Sequence, residues 1–190
     1  MTKQPEIYLI RHGETEWSLS GQHTGRTDID LTDAGRRQAT EIAGRLGGKQ
    51  FSLVLTSPLR RAADTCRLAG YADLAQTEPN LREWNYGQYE GLTSDQIREK
   101  APNWTVWTQP VLGGETIEEV AARALAVIQR AQSAKGDVAL FSHGHLLRVL
   151  IATWLGLPPE EGKMFALATA SITVLGRERD IPVIQLRPNT

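Results

Sequence analysis

Two apolar runs in this chain end the same way. Ile7-Tyr8-Leu9-Ile10 continues through Arg11 into His12-Gly13, and Val138-Ala139-Leu140-Phe141 continues through Ser142 into His143-Gly144. Short uncharged runs of this kind read as strands buried on both faces. Laid side by side and parallel, they bring both imidazoles out at one edge of a sheet. That edge, at the carboxyl ends of the strands, is where open α/β sheets bind their ligands.

The rest of the chain alternates strands with helices. Residues 6–11 form the first strand, and the polar, glycine-rich residues 13–31 read as a long functional loop. A helix starts at Thr32, carries Ala39, Ile42, Ala43 and Leu46 on one face, and stops at Gly47-Gly48. Residues 52–56 form a second strand, and a helix follows Pro58, a residue tolerated in a first helical turn. An extended piece near residues 76–79 leads into Leu81-Arg82-Glu83-Trp84, a short helix spans 93–100, and 101–114 is a Trp/Pro/Gly loop. Within that loop Trp104 and Trp107 either cap the core or wall one side of the crevice. Residues 115–134 are the clearest helix, with Ile117, Val120, Ala121, Ala124, Leu125 and Ile128 in one stripe. A third strong strand at 137–141 precedes a helix over 145–155, and strands at 171–175 and 181–186, joined by the charged residues 177–180, form a closing hairpin. The alternation predicts an α/β fold, a three-layer α/β/α sandwich whose central sheet is mainly parallel and mixed at an edge. No repeat, low-complexity tract or linker interrupts residues 1–190, which read as a single domain.

The strand ends carry the chemistry. The second strand runs into Thr56-Ser57-Pro58-Leu59-Arg60-Arg61, which brings one or two guanidinium groups to the same sheet edge as Arg11. A guanidinium donates two parallel hydrogen bonds to phosphate and stays charged at any working pH. The glycines after the two histidines let backbone approach a ligand, and the helix beginning near His145 adds N–H donors and a favourable dipole. A neutral histidine can attack phosphorus and hold the phosphoryl group covalently, provided that cations neutralise the oxygens and an acid protonates the leaving group. Glu83, between Arg82 and Trp84, is the candidate acid, and the neighbouring tryptophan and Tyr86 are expected to keep its carboxyl protonated by desolvation. A metal site is the rival use of His12, His143 and His145. No carboxylate cluster surrounds His12 in the sequence, and arginines beside a dication would repel it, so no metal and no other cofactor is expected.

Bulk composition excludes other classes. With 21 basic and 22 acidic residues the net charge is −1, so no global field attracts nucleic acid or an acidic membrane. No apolar stretch reaches the ~20 residues of a membrane span, and no apolar leader core is evident. The single Cys66, at helical spacing from Leu59, Ala62 and Ala63, reads as a core thiol and fits a reducing, cytoplasmic setting.

In this order the motifs resemble those of the histidine phosphatase superfamily, also called phosphoglycerate mutase-like. Arg11-His12-Gly13-Glu14-Thr15 looks like its signature, residues 56–62 like its second arginine motif, and Leu81-Arg82-Glu83 with Tyr86-Gly87 and Glu90-Gly91-Leu92 like its proton-donor segment. Gly114-Glu115-Thr116 looks like the start of its late helix, and Ser142-His143-Gly144 like its second histidine motif. The resemblance implies a metal-independent enzyme in which His12 accepts the phosphoryl group, Arg11, Arg61 and His143 complete the phosphate pocket, and Glu83 is the acid. It places substrate contacts at Ser18, Thr24, Gly25, Tyr86, Gly144 and His145. Residues 17–28, 81–87 and 143–145 resemble the branch of sugar-bisphosphate phosphatases and broad-specificity acid phosphatases, where mutases often carry asparagine at the positions of Ser18 and His145. The short stretch 93–114 also favours hydrolysis, since a mutase needs a good lid to keep water from its phosphorylated intermediate. The expected activity is hydrolysis of small phosphorylated metabolites such as sugar phosphates, with cofactor-dependent phosphoglycerate mutase as the alternative and a non-catalytic phospho-ligand binder as a third reading. Specificity and oligomeric state are not legible in these motifs, and a homodimer stays open.

Overall fold

The computed structural model describes residues 5–186. In chain order the regular elements are β1 (Ile7–Arg11), α1 (Glu16–Ser20), α2 (Asp33–Leu46), β2 (Leu53–Thr56), α3 (Arg60–Leu68), β3 (Ala75–Thr77), α4 (Ser94–Lys100), α5 (Ile117–Gln132), β4 (Val138–Ser142), α6 (Gly144–Trp154), β5 (Ile172–Glu178) and β6 (Ile181–Gln185). The strands form one six-stranded sheet in the order β3-β2-β4-β1-β5-β6. β3, β2, β4 and β1 are parallel, whereas β5 runs antiparallel to β1 and pairs with β6 as a hairpin. The mainly parallel, edge-mixed sheet is the one the alternation predicts.

Strand periodicity divides the core. Ile7 and Leu9 of β1, Val138 and Leu140 of β4 and Leu55 of β2 face a core shared with Val120, Ala124 and Ile128 of α5 and Leu147, Leu150 and Ile151 of α6. Their alternates Tyr8, Ile10, Ala139, Phe141 and Val54 face a second core with Ile42 and Leu46 of α2 and Cys66 of α3. Side chains on a strand point alternately to opposite faces, so uninterrupted apolar runs need helices on both sides. Each such fully buried aliphatic side chain contributes about 1.5–3 kcal/mol. Burial also pushes the Cys66 thiol up to about 12, consistent with a core residue.

Helices α2, α4 and α5 start on side-chain caps. Thr32 accepts from the Gly35 amide, and Thr93 and Thr116 each form a reciprocal capping box, with Gln96 and Glu119. The long loop at 13–31 differs from expectation because it contains α1, whose Thr15 and Ser18 form a third box. Five residues are too few for an apolar stripe to mark them. An isolated antiparallel bridge joins Gln22 to Thr93, fastening this segment to the 93–114 insert.

Candidate active site

β1 pairs with β4 so that Arg11 lies opposite Ser142. His12 and His143 therefore leave the sheet at the same level, with ring centroids 5.3 Å apart. The carbonyl oxygen of Gly13 is 2.7 Å from Nδ1 of His12. A carbonyl can only accept, so Nδ1 carries the proton and Nε2 keeps its lone pair. Burial, reinforced by the positive charges of Arg61 and Arg11, holds the His12 pKa well below its usual 6.5. The ring is a neutral imidazole with an available nucleophilic nitrogen. Gly13 itself is required by packing, since a Cβ there would lie 2.4 Å from the carbonyl oxygen of Gly35 in α2.

Arg61 and His143 lie beneath this floor with no exposed surface. Arg61 Nε donates to His143 Nδ1 at 3.1 Å, so the His143 proton sits on Nε2, 2.8 Å from the Ser57 hydroxyl oxygen. The remaining Arg61 bonds go to the carbonyls of Thr24, Gly25 and Thr27, each at 3.0 Å. Its neighbour Arg60 points to solvent and pairs with Asp30 at 2.7 Å, so only one guanidinium of this motif reaches the centre. Burial and the positive charge of Arg61 depress the His143 pKa well below the usual value. Arg11 is anchored by Nη1 to the carbonyl of Leu167 at 2.5 Å, and its buried Nε has no partner. A buried donor left unpaired costs about 1–3 kcal/mol, an arrangement that suits an arriving anion.

Glu83 is held differently from the expectation. Its carboxyl oxygens meet amide donors rather than only the rings of Trp84 and Tyr86. Oε1 accepts from the amides of Trp84 and Leu146, both at 2.9 Å, and Oε2 accepts from the amide of His145 at 3.0 Å. His143 precedes α6 without a side-chain cap, so Glu83 satisfies the helix's first amides from a distant segment. Oε1 thus has two donors and Oε2 one, which leaves a lone-pair position on Oε2.

A cavity of about 400 Å³ opens over these groups and is lined by Arg11, His12 and Glu83. Of the expected substrate contacts, Thr24, Tyr86, Gly144, His145 and Ser18 line it. The Ser18 hydroxyl is already engaged with the Thr15 backbone at 2.8 and 2.9 Å, so its position rather than a free donor is what it offers. Gly25 is absent from the lining. Its amide goes to Glu90 at 2.9 Å and its carbonyl to Arg61, which makes it part of the support. Tyr86 and His145 are joined through Oη and Nδ1 at 2.6 Å. Burial drives the tyrosine pKa well above 10.0 and the histidine well below 6.5. Trp104 and Trp107 do both of the things foreseen for them, one packing into the core and both walling the cavity. His23, Arg98 and Arg148 also line it and were not singled out. Arg148 follows His145 by three residues on α6, so helical spacing alone points it to the same face. Among the described residues no three His, Cys, Asp or Glu side chains are grouped to hold a metal ion.

The chain matches the family model described as histidine phosphatase superfamily (branch 1) over residues 7–190. It is 45% identical over 180 residues to an acid phosphatase of Mycobacterium tuberculosis, covering 92% of this chain and 88% of that protein. It is 33% identical over 185 residues to a sedoheptulose 1,7-bisphosphatase of Saccharomyces cerevisiae, covering 80% of this chain and 68% of that one. The solved structure of a Mycobacterium tuberculosis open reading frame product superposes with a TM-score of 0.90 at 42% identity over 96% of each chain. With this match along almost its whole length, the chain belongs to branch 1 of the histidine phosphatase superfamily.

Proposed function

We propose that the chain is a metal-independent phosphomonoesterase of the acid phosphatase type that hydrolyses small phosphorylated metabolites, sugar phosphates among them. The observation that carries this reading is the His12 tautomer, a neutral ring with Nδ1 fixed by the Gly13 carbonyl and Nε2 free, in a cavity that Arg11 also lines. Nε2 attacks phosphorus, the P–O bond to the alcohol breaks, and Glu83 delivers a proton from Oε2 to the departing oxygen. Water then attacks the phosphohistidine and gives its proton to the Glu83 carboxylate as the P–N bond breaks. Arg11 binds the phosphoryl oxygens in both steps. Arg61 adds a fixed positive charge from below, and His143 offers them its Nε2 proton in exchange for Ser57. The 45% identity to an acid phosphatase, against 31% to a probable phosphoglycerate mutase of Yersinia enterocolitica, supports hydrolysis over isomerisation.

We assign the enzyme to the cytoplasm. Supporting this are its one buried, unpaired cysteine and the lack, among the described residues, of any helix long and apolar enough to cross a membrane. The test is a phosphate-release screen over sugar mono- and bisphosphates, 3-phosphoglycerate and p-nitrophenyl phosphate, with and without EDTA, combined with trapping of a phosphohistidine at residue 12. Metal-insensitive release through that intermediate is expected. Strong inhibition by EDTA would overturn metal independence. Interconversion of 3- and 2-phosphoglycerate stimulated by 2,3-bisphosphoglycerate, without net release, would make the chain a mutase.

A further inference from the structure

The acid sits on a stretch with no regular structure of its own. Residues 82–86 belong to neither helix nor strand, and irregular connections are the more mobile parts of a fold unless they are tethered. A catalytic group has to be held within about 0.5 Å of its productive place. The Glu83 side chain reaches forward to the first amides of α6. What holds the backbone behind it comes largely from α5 and the residues just before that helix.

Arg123 of α5 donates from Nη1 to the carbonyls of Asn80 and Arg82 at 2.8 and 2.9 Å. The same guanidinium grips Glu115 through Nε and Nη2 at 2.8 and 2.9 Å. Oε2 of Glu115 also accepts from the Asn85 amide at 2.8 Å, and the Glu115 carbonyl takes the Trp84 indole N–H at 2.8 Å. The Glu115 amide donates to the Asn85 carbonyl at 3.0 Å. Between the two Arg123 acceptors, the Leu81 carbonyl takes the Ser142 hydroxyl at 2.7 Å, which fastens the stretch to the end of β4. Backbone on both sides of Glu83 is thereby tied to one ion pair. Its side chains are only 15–16% exposed, so solvent screens it little, and charge-assisted bonds from a forked guanidinium fix direction as well as distance. A second α5 arginine, Arg130, bonds the side chains of Glu78 and Gln76 upstream of the acid.

We infer that Glu115 and Arg123 are positioning residues for the acid. Neither lines the catalytic cavity; their ion pair sets where Oε2 of Glu83 stands relative to the departing oxygen. This role presupposes the phosphomonoesterase reading and deepens it. In the first step Nε2 of His12 bonds phosphorus, the P–O bond to the alcohol breaks, and the proton on Oε2 passes to the departing oxygen. An alkoxide needs that proton, whereas p-nitrophenolate leaves without it. A displaced acid therefore costs an alkyl ester more than an aryl one.

The experiment measures kcat/KM in the parent, Glu115→Gln and Arg123→Lys on two substrates, p-nitrophenyl phosphate and the sugar phosphate that the parent hydrolyses fastest. This constant covers events up to departure of the alcohol, so the later action of Glu83 on water does not enter it. Glutamine leaves one acceptor oxygen where two are in use, and a lysine ammonium cannot span the four acceptors that the guanidinium fork reaches. In each variant the alkyl-to-aryl ratio should fall about tenfold. Arg123→Lys keeps the buried charges balanced and carries the test if Glu115→Gln does not fold. Arg130→Gln is the control for general loosening of α5, and it should leave the ratio alone. In a Glu83→Gln background there is no proton to place, so Arg123→Lys should cost the alkyl ester little more. An unmoved ratio, an equal fall in Arg130→Gln, or losses that add in full to that of Glu83→Gln would reduce the pair to general support of the fold and leave the phosphatase intact. Release from no ester by the parent would instead remove the reading beneath it.

Discussion

Arg61 and His143, under the cavity, have no exposed surface, and the Arg61 guanidinium is locked by an imidazole and three carbonyls. The wall above them is built otherwise: Trp107 and Arg148 are half-buried, Arg98 is exposed, and the two arginines are anchored mostly by backbone carbonyls, those of Trp104, Gly162 and Lys163. The floor hangs from the ends of three parallel strands and has essentially one geometry open to it. The wall comes from a short helix, a loop and one turn of α6, and its residues can change without disturbing the strands. Chemistry therefore belongs to the floor and choice of substrate to the wall. Substitutions in the two regions should separate along that line.

The largest effect belongs to the nucleophile. His12→Ala should abolish phosphate release from p-nitrophenyl phosphate and the acid-labile phosphoenzyme together, because no other unprotonated nitrogen stands at this position. Retained turnover would end the assignment. Glu83→Gln should come next, with a loss of about 10²–10⁴-fold on sugar phosphates. The amide keeps an oxygen for the backbone donors but has no proton to give, and steady-state rates on alkyl and aryl esters measure the difference. Gly25→Ala tests the support rather than the chemistry. A Cβ there would meet the Trp84 carbonyl at 2.5 Å and the Glu90 carboxylate at 2.6 Å. Overpacking of this kind costs about 1–3 kcal/mol, and thermal denaturation should show it as a lowered Tm.

The floor also makes stability depend on pH. His12, His143 and His145 have folded pKa values held below the ordinary 6.5, first of all by burial. Above that value both folded and unfolded chains keep these rings neutral, and the contribution to stability is fully present. As pH falls below it, the unfolded chain takes up protons that the folded one refuses, so stability drops. The same depressed His12 value keeps the nucleophile unprotonated on the acid side, so the rate should persist to lower pH than Tm does. Parallel scans of rate and Tm against pH should show the two curves diverging; a Tm that holds or rises on acidification would contradict buried neutral imidazoles.

How far the sequence discloses each region follows from the same difference. Local pattern was enough for the floor. The apolar runs ending at Arg11 and Ser142 read as buried strands, and the neighbouring parallel register that the fold gives them puts His12 beside His143. Glu83 was legible as a residue type, but two of its three amide donors come from α6, some sixty positions away, and no spacing announces them. Gly25 was a ligand contact only by the family resemblance; the tertiary path of Arg61 shows that it is a support. In the wall, Arg148 could have been read from its helical offset to His145. Arg98 could not, because α4 reaches the cavity through the Gln22–Thr93 bridge and the bond from the His23 amide to the Leu92 carbonyl, both long-range pairings.

The smallest expected effect sharpens the contrast most. Trp107 separates the catalytic cavity from a second, more apolar hollow lined by Trp84, Pro110, Val111 and Ile117, and it touches both Arg148 and the His145 ring, the latter at 5.2 Å between centroids. Phenylalanine keeps an aromatic face under the guanidinium but offers a smaller one, and a cation–π contact at such a site is worth only about 0.5–1 kcal/mol. Trp107→Phe should therefore raise KM for a sugar phosphate about two- to threefold. Its kcat should stay near that of the parent, because nothing in the strand-end floor depends on the indole. A loss of kcat as large as that of the Glu83 variant would mean that the wall reaches into the chemical step, and the division between the two regions would fail.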